Sequence, residues 1–372
     1  MVISSTLIVL LSALVITMTF RLERGLRRSR MHTTHTETTQ APSVSVCIPA
    51  RNETHAMTQC LERVLASDYR KMEVIVFDDE SADNTSVLIN SFAHAGVRFV
   101  SGTDLPDGWL GRNHAMEVLA REASGTYVLF LNVDTYISPT TISQLVDYAV
   151  GEQLEMVSVI PSRNDVWRTS VLLGHLRYFW EIILARATSP ATSTSLWMVK
   201  RHTFLDTIGG LRSHSAAVAP EGRIAAIIGS KAYRCLVADR SLGVSYEKKW
   251  SSQYETSRRS LYPMVGGTWI GAVVACVLLL LLNLPLFTVL SGVVTGWTFV
   301  HSVALLFLAL FALIYGRYTH ATWRRNWWIG VIAWPVVILQ ELAMFLSSVI
   351  GYANGTITWK GRSVTSAKSS VR

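Results

Sequence analysis

The 372-residue chain is poor in charge, with 16% Asp, Glu, Lys and Arg against 50% hydrophobic residues, and its mean hydropathy of +0.31 is too high for an ordinary soluble protein. Its cysteines are few. Cys47, Cys60, Cys235 and Cys276 have no metal-binding spacing and no clustering that would suit a disulfide framework, so they are expected to be reduced, packed residues. No glycine fingerprint of dinucleotide binding follows any strand-like run, and no Gly-Lys-Ser/Thr phosphate loop occurs, which disfavours nicotinamide and P-loop enzymes. A net charge of +8 could suggest nucleic acid, but five arginines fall between Arg21 and Arg30 and others flank the later apolar runs. Basic residues placed there read as membrane-orientation signals, and no nucleic-acid partner is expected.

What the chain has instead is apolar sequence gathered near its two ends. Val2 to Phe20 is long enough to span a bilayer and is followed at once by Arg21, Arg24, Arg27, Arg28 and Arg30, which places the following residues in the cytoplasm. A cleaved signal peptide would carry its positive charge before the apolar core, and no Lys or Arg precedes this one. Met31 to Ala41, rich in Thr and His, reads as a linker and favours a tether over a metal site at His32 and His35. Gly266 to Leu290, Trp297 to Tyr315 and Trp327 to Ile350 are three further candidate spans, with Asn283 and Pro285 able to kink the first. Arg317, Arg324 and Arg325 mark the loop between the last two as cytoplasmic. The basic tail residues Lys360, Arg362, Lys368 and Arg372 conflict with a simple count of crossings, so the side of the tail stays open.

The expected organisation is a spanning helix over 1–21, a basic segment and linker over 22–41, a domain over 42–262, a membrane region over 263–351 and a basic tail over 352–372. The expected setting is the cell membrane, with the domain in the cytoplasm. Inside the domain, residues 166–187 are aromatic-rich yet interrupted by His175, Arg177, Glu181 and Arg186. They read as a helix on the membrane face or beneath the spans, or equally as a buried helix of the domain.

The domain alternates apolar strands, polar loops and helices, as a mostly parallel α/β sheet with crossover helices requires. Val44 to Ile48 runs into Pro49-Ala50-Arg51-Asn52-Glu53, Glu73 to Phe77 into Asp78-Asp79-Glu80-Ser81, and Phe99 to Gly102 forms a third strand. Tyr127 to Tyr136 carries Asn132 and Asp134 at a strand end. Oxygen ligands two residues apart there could hold Mg²⁺ or Mn²⁺ against a diphosphate, although a capped strand end with a turn from Asp134 accounts for the same decapeptide. Crowding carboxylates along one sheet edge is costly without a cation or ligand, which favours functional roles for Asp79 and Asp134. Gly108 to Ala115 is a loop running into a helix, and Arg112 at its start suits a diphosphate.

Ile-Pro-Ala-Arg-Asn-Glu, Asp-Asp-x-Ser-x-Asp, Gly-Trp-x-Gly-Arg and Asn132-Val133-Asp134, in this order, resemble the family 2 glycosyltransferases of GT-A fold. The resemblance implies that Pro49, Ala50, Arg51, Glu53, Asp79, Ser81, Arg112 and Asp134 bind a nucleotide-sugar donor, expected to be a UDP-sugar, with Asp79 at the nucleotide base. It also implies a divalent cation held at the D-x-D position, where this chain has Asn132 before Asp134; an amide oxygen still ligates, with lower affinity. Leu196 to Arg201 with Gly209-Gly210 resembles the acceptor-side strand and turn. Pro220-Glu221-Gly222 stands where most of the family has Glu-Asp with the aspartate as base, so Glu221 is the candidate catalytic base. The Glu-Gly form and the Gly-Trp-x-Gly-Arg loop resemble the carotenoid (4,4′-diaponeurosporenoate) glycosyltransferase branch, and Trp359-Lys360-Gly361-Arg362 resembles a basic tail motif of lipid-modifying members. Trp250, Gln253, Arg258 and Arg259 lie near the place of a Q-x-x-R-W motif, but in the wrong order.

The expectation is inverting sugar transfer to a membrane lipid, with a carotenoid acid as the first candidate acceptor. The rivals are another lipid or polysaccharide synthase of the same fold, and a nucleotide-sugar-binding membrane protein without turnover.

Overall fold

The computed structural model describes residues 2–31, 41–164, 176–247, 250–323 and 325–364, so His32, His35 and most of the linker lie outside the described residues. The chain divides into two units. One comprises residues 28–163, 185–247 and 358–372, and the other residues 1–27, 164–184 and 248–357.

The first unit is built on β1 (Val44–Ala50), β2 (Met72–Asp78), β3 (Val97–Ser101) and β4 (Tyr127–Leu131), all mutually parallel. The short β5 (Thr135–Tyr136) follows, then β6 (Met156–Ile160), β7 (Ser162–Arg163), β8 (Leu196–Lys200), β9 (Tyr233–Val237) and β10 (Ser245–Tyr246). Seven strands form one sheet in the order β3-β2-β1-β4-β8-β6-β9, in which β8 alone runs antiparallel to its neighbours β4 and β6. The expected mixed sheet with a mostly parallel core is therefore present. The strand foreseen from Phe99 starts two residues earlier, because Val97 pairs with Val74.

The strands are apolar on both faces because helices cover both. Val44, Val46, Ile48, Val74, Val76, Leu129 and Leu131 point to one side, into α2 (Met57–Leu65) and α5 (Thr141–Gly151). Cys47, Ile75, Phe77, Val128, Phe130 and Trp197 point to the other, into α4 (Gly111–Glu122) and α7 (Pro220–Ile228). This is the two-residue period of a strand written into two separate cores. Between β2 and β3 runs α3 (Thr85–Ser91). The Leu196 segment packs as β8, and the turn after it needs glycine. Gly210 has φ +70, and a Cβ there would meet the Glu117 carboxylate at 2.2 Å.

The second unit is helical: α1 (Val2–Arg28), α6 (Arg177–Leu184), α8 (Trp250–Met264), α9 (Trp269–Thr295), α10 (Phe299–Thr322) and α11 (Trp328–Ala353). Four of these, over Thr6–Arg28, Trp269–Thr295, Phe299–Thr322 and Trp328–Ala353, are long and apolar enough to cross a membrane. Each reaches beyond the apolar run foreseen for it, since polar end residues continue the helical hydrogen bonding. Asn283 of α9 donates to the Leu279 carbonyl at 2.8 Å and lies two residues before Pro285.

Of the 166–187 segment, residues 166–175 lie outside the described residues and Arg177–Leu184 is helical. This short helix belongs to the helical unit. Glu341 of α11 accepts hydrogen bonds from Leu176 N at 3.3 Å and Trp180 Nε1 at 3.0 Å, and Phe179 packs edge-on against Tyr315, Tyr318 and Trp334. A carboxylate inside an apolar bundle is tolerated because donors face it.

The last described residues, β11 (Thr358–Trp359) and β12 (Arg362–Ser363), form a hairpin that belongs to the sheet unit. Its two-residue turn has φ +48 at Lys360 and +84 at Gly361, the pair of positive values that a tight hairpin turn demands and that glycine adopts without strain.

Candidate active site

The polar residues foreseen at the strand ends do gather along one sheet edge, in two clusters. The first joins the loops after β1 and β2. Ala50 C=O accepts from Asp79 N at 2.9 Å, Asn52 N donates to Ser81 Oγ at 2.9 Å, and Asn52 Oδ1 accepts from Ala82 N at 2.8 Å. Ser81 also donates to Asp78 Oδ1, so its hydroxyl is engaged in holding the two loops together. Asn52 and Glu80 both have φ +52, the left-handed conformation that folds these loops back on themselves. Pro49 lies within β1, paired with Phe77 in register.

Asp79 is the centre of this cluster and is only 2% exposed. Its Oδ1 is 2.9 Å from Arg362 Nη1, and its Oδ2 is 3.7 Å from Arg51 Nη1. Arg51 also donates to the Asp79 and Glu80 carbonyls. Burial pushes the Asp79 carboxyl above the usual carboxylate range, against the pull of Arg362 and Arg51. Glu53 Oε1 is 3.1 Å from Lys360 Nζ.

The second cluster centres on Arg112. Its Nη2 donates to Thr194 C=O at 2.8 Å and to Asn132 Oδ1 at 3.4 Å, and its Nη1 is 3.7 Å from Glu221 Oε2. Asn132 N in turn donates to Ser195 C=O at 2.9 Å. Glu221, in the first turn of α7, is fully buried. The helix is aimed by Asn113, whose amide donates to the Ser215 and Ala217 carbonyls at 2.8 Å each, fixing the loop that enters α7. The helix ends at Ile228, ahead of Gly229 at φ +80, rather than continuing to Ser230. Asp134 is partly exposed between β4 and β5.

The start of α4 links the two clusters. At Gly111 a Cβ would lie 2.7 Å from Asp79 Oδ2, while the next residue is Arg112. Glycine at this position lets the helix backbone come up against Asp79. His114, one turn along, packs edge-on against Phe77 and Trp109, and burial pushes it below the ordinary histidine range despite the attraction of Asp79.

Asn132 and Asp134 offer one amide and one carboxylate oxygen, hard donors of the kind Mg²⁺ and Mn²⁺ prefer. Among the described residues no three or more His, Cys, Asp or Glu side chains group as a metal cage. A cation there would take its other ligands from a diphosphate and water, and would displace Arg112 from its 3.4 Å contact with Asn132 Oδ1.

Residues 45–201 match the family described as Glycosyl transferase family 2. The match assigns that segment, under half of the chain, to a family 2 glycosyltransferase domain. Among its relatives, an N-acetylglucosaminyltransferase of Sinorhizobium fredii is 30% identical over 140 residues, covering 35% of this chain and 33% of that protein. The Escherichia coli UDP-Glc:alpha-D-GlcNAc-diphosphoundecaprenol beta-1,3-glucosyltransferase WfgD is 29% identical over 123 residues, covering 33% of this chain and 42% of that protein. The matches thus span under half the length of these curated relatives. The mannosyltransferase PcManGT from Pyrobaculum calidifontis, solved with GDP-Man and Mn²⁺, shares the fold at a TM-score of 0.55 and 16% identity, over 94% of this chain and 98% of that one. A GT-A-like fold is shared with it.

The residues that sequence reasoning left out of the site are Gly111, Thr194, Lys360 and Arg362. Gly111 and Thr194 act through backbone, which no residue type announces. Lys360 and Arg362 stood in a tail noted for its charge and a resembling motif, 307 and 283 positions from the carboxylates they meet.

Proposed function

We propose that the protein is an inverting glycosyltransferase that moves a sugar from a UDP-sugar to a lipid acceptor in the cell membrane, with its sheet unit in the cytoplasm. The observation that carries this reading is Arg112, which connects the candidate base Glu221 with the Asn132 end of the D-x-D position in one set of contacts. The UDP-Glc donor and lipid-linked acceptor named for the E. coli relative support the substrate classes.

In this reading Asp79 and Arg51 receive the nucleoside, and Arg112, Asn132 and Asp134 receive the diphosphate. A divalent cation at Asn132 and Asp134 would neutralise charge on the departing diphosphate. The incoming diphosphate competes with Glu221 and the Thr194 carbonyl for the Arg112 guanidinium, so donor binding releases the Glu221 carboxylate towards the acceptor. Glu221 then takes the proton of an acceptor hydroxyl as the oxygen attacks the anomeric carbon from the face opposite the leaving diphosphate.

A carotenoid acid is the acceptor proposed. Its carboxylate is already ionised near neutral pH and needs little base, which suits a chain with Gly222 where the usual second carboxylate stands.

The test is transfer from radiolabelled UDP-sugars by the purified full chain in lipid nanodiscs, supplied with a carotenoid acid or with hydroxyl lipids. Labelled lipid product is expected. Neither transfer nor donor hydrolysis with any acceptor would leave a nucleotide-binding protein without turnover. For the orientation, a single cysteine at Met31 should resist membrane-impermeant reagents in intact cells, and labelling from outside overturns it.

A further inference from the structure

The C-terminal hairpin reaches the nucleoside end of the candidate site. Lys360 Nζ is 3.1 Å from Glu53 Oε1 and donates to Asn52 C=O at 3.3 Å, while Arg51 Nε donates to Lys360 C=O at 3.4 Å. Arg362 pairs with Asp79 Oδ1 at 2.9 Å and also with the Glu80 carboxylate. The hairpin therefore bridges the loops after β1 and β2. One atom of the central carboxylate is left without a donor. Asp79 Oδ2 is buried and accepts no hydrogen bond among the described residues, with Arg51 at 3.7 Å beyond hydrogen-bond reach. A buried acceptor without a donor is costly, and one inside a candidate ligand site is the natural place for a ligand N–H.

We propose that Arg362 is a positioning residue of the nucleotide site: it holds Asp79 by Oδ1 as an oriented carboxylate, so that Oδ2 accepts an N–H of the donor's base. The assignment rests on the donor-binding reading above and adds to it a residue outside the 45–201 domain match. The hairpin is accordingly part of the site rather than a solvated tail. Lys360 anchors it through Glu53.

The charged groups facing Asp79 are Arg51, Glu80, His114 and Arg362, and burial already raises the Asp79 carboxyl. Only the ionised carboxylate accepts on both oxygens. Removing Arg362 raises Asp79 further, so nucleotide binding should fail at a higher pH on acidification than in the wild type.

The experiment titrates UDP, and separately GDP, into the full chain in nanodiscs with Mn²⁺, from pH 5 to 8, for the wild type, Arg362→Gln and Arg362→Lys. Loss of one charge-assisted contact predicts weaker UDP binding by roughly tenfold to a hundredfold for Arg362→Gln. The acid fall-off should move to higher pH, with partial recovery in Arg362→Lys and little change in kcat at saturating donor. Thermal unfolding of the lysine variant checks that the fold persists. Wild-type affinity and an unshifted pH profile in Arg362→Gln overturn the proposal, as does faster turnover, which would make the hairpin an inhibitory plug. If the wild type binds neither nucleotide, the donor-binding reading itself fails and this assignment falls with it.

Discussion

Glu221→Gln separates a catalytic carboxylate from one that only fills space. The substitution keeps volume and removes the charge from a fully buried side chain 3.7 Å from Arg112. Breaking a wholly buried ion pair costs about 3–5 kcal/mol, but Arg112 keeps the Thr194 carbonyl at 2.8 Å and its side chain is 13% exposed. A stability loss on the order of 1–3 kcal/mol is therefore expected, small enough for the variant to be assayed folded at low temperature.

The kinetic effect depends on the acceptor. Loss of a general base slows transfer to a hydroxyl by about 10²–10⁴, or roughly 3–5.5 kcal/mol in the barrier. A carboxylate acceptor has already lost its proton, so the drop there should stay below about tenfold. The assay is single-turnover transfer by the full chain in nanodiscs at saturating UDP-sugar, with each acceptor class and with donor affinity measured alongside. Donor affinity should not fall, and should rise to the extent that Glu221 competes with the diphosphate for Arg112. Near-normal kcat on a hydroxyl acceptor refutes Glu221 as base. Gly222→Asp complements it: a Cβ there meets only Thr192 Oγ1, at 3.6 Å, so the side chain can be accommodated. Under the carboxylate-acceptor reading, the added negative charge should slow transfer.

Two further outcomes follow from the site and its loops. Asp134→Ala should abolish turnover and Asn132→Asp should lower the Mn²⁺ concentration needed, checked by activity against metal concentration; full activity of Asp134→Ala in chelator would contradict the cation assignment. At Asp83, slight burial pushes the carboxyl up, but hydrogen bonds from Thr54 and Thr85 outweigh it and bring it down to about 2. A folded-state value below the unfolded one stabilises above the ordinary carboxylate range and is lost as pH falls through about 2. Asp83→Asn should therefore lower thermal stability at pH 7 and reduce its loss on acidification, and parallel melting curves for both proteins from pH 7 to pH 2 would refute the role.

The alternation of apolar runs with polar loops was enough to determine a mostly parallel sheet, because strands buried on both faces must read as continuous apolar stretches and each parallel return needs a crossover. The apolar ends likewise identified four helices able to span a membrane, since length and hydropathy alone set that capacity. Pro49 to Glu53, Asp79, Arg112, Asn132 and Asp134 could be placed at one edge because strand ends carry their loops there. Tertiary structure decided the rest. That β8 runs antiparallel, that the short helix Arg177–Leu184 packs with Glu341 rather than in the sheet unit, and that Glu221 lies fully buried beside Arg112 are outcomes of packing between distant segments. The hairpin at Lys360 and Arg362 is the clearest case. The segment read only as a basic tail, and the ion pair with Asp79 closes a loop of 283 residues; no local pattern records which of many carboxylates a distant arginine will meet.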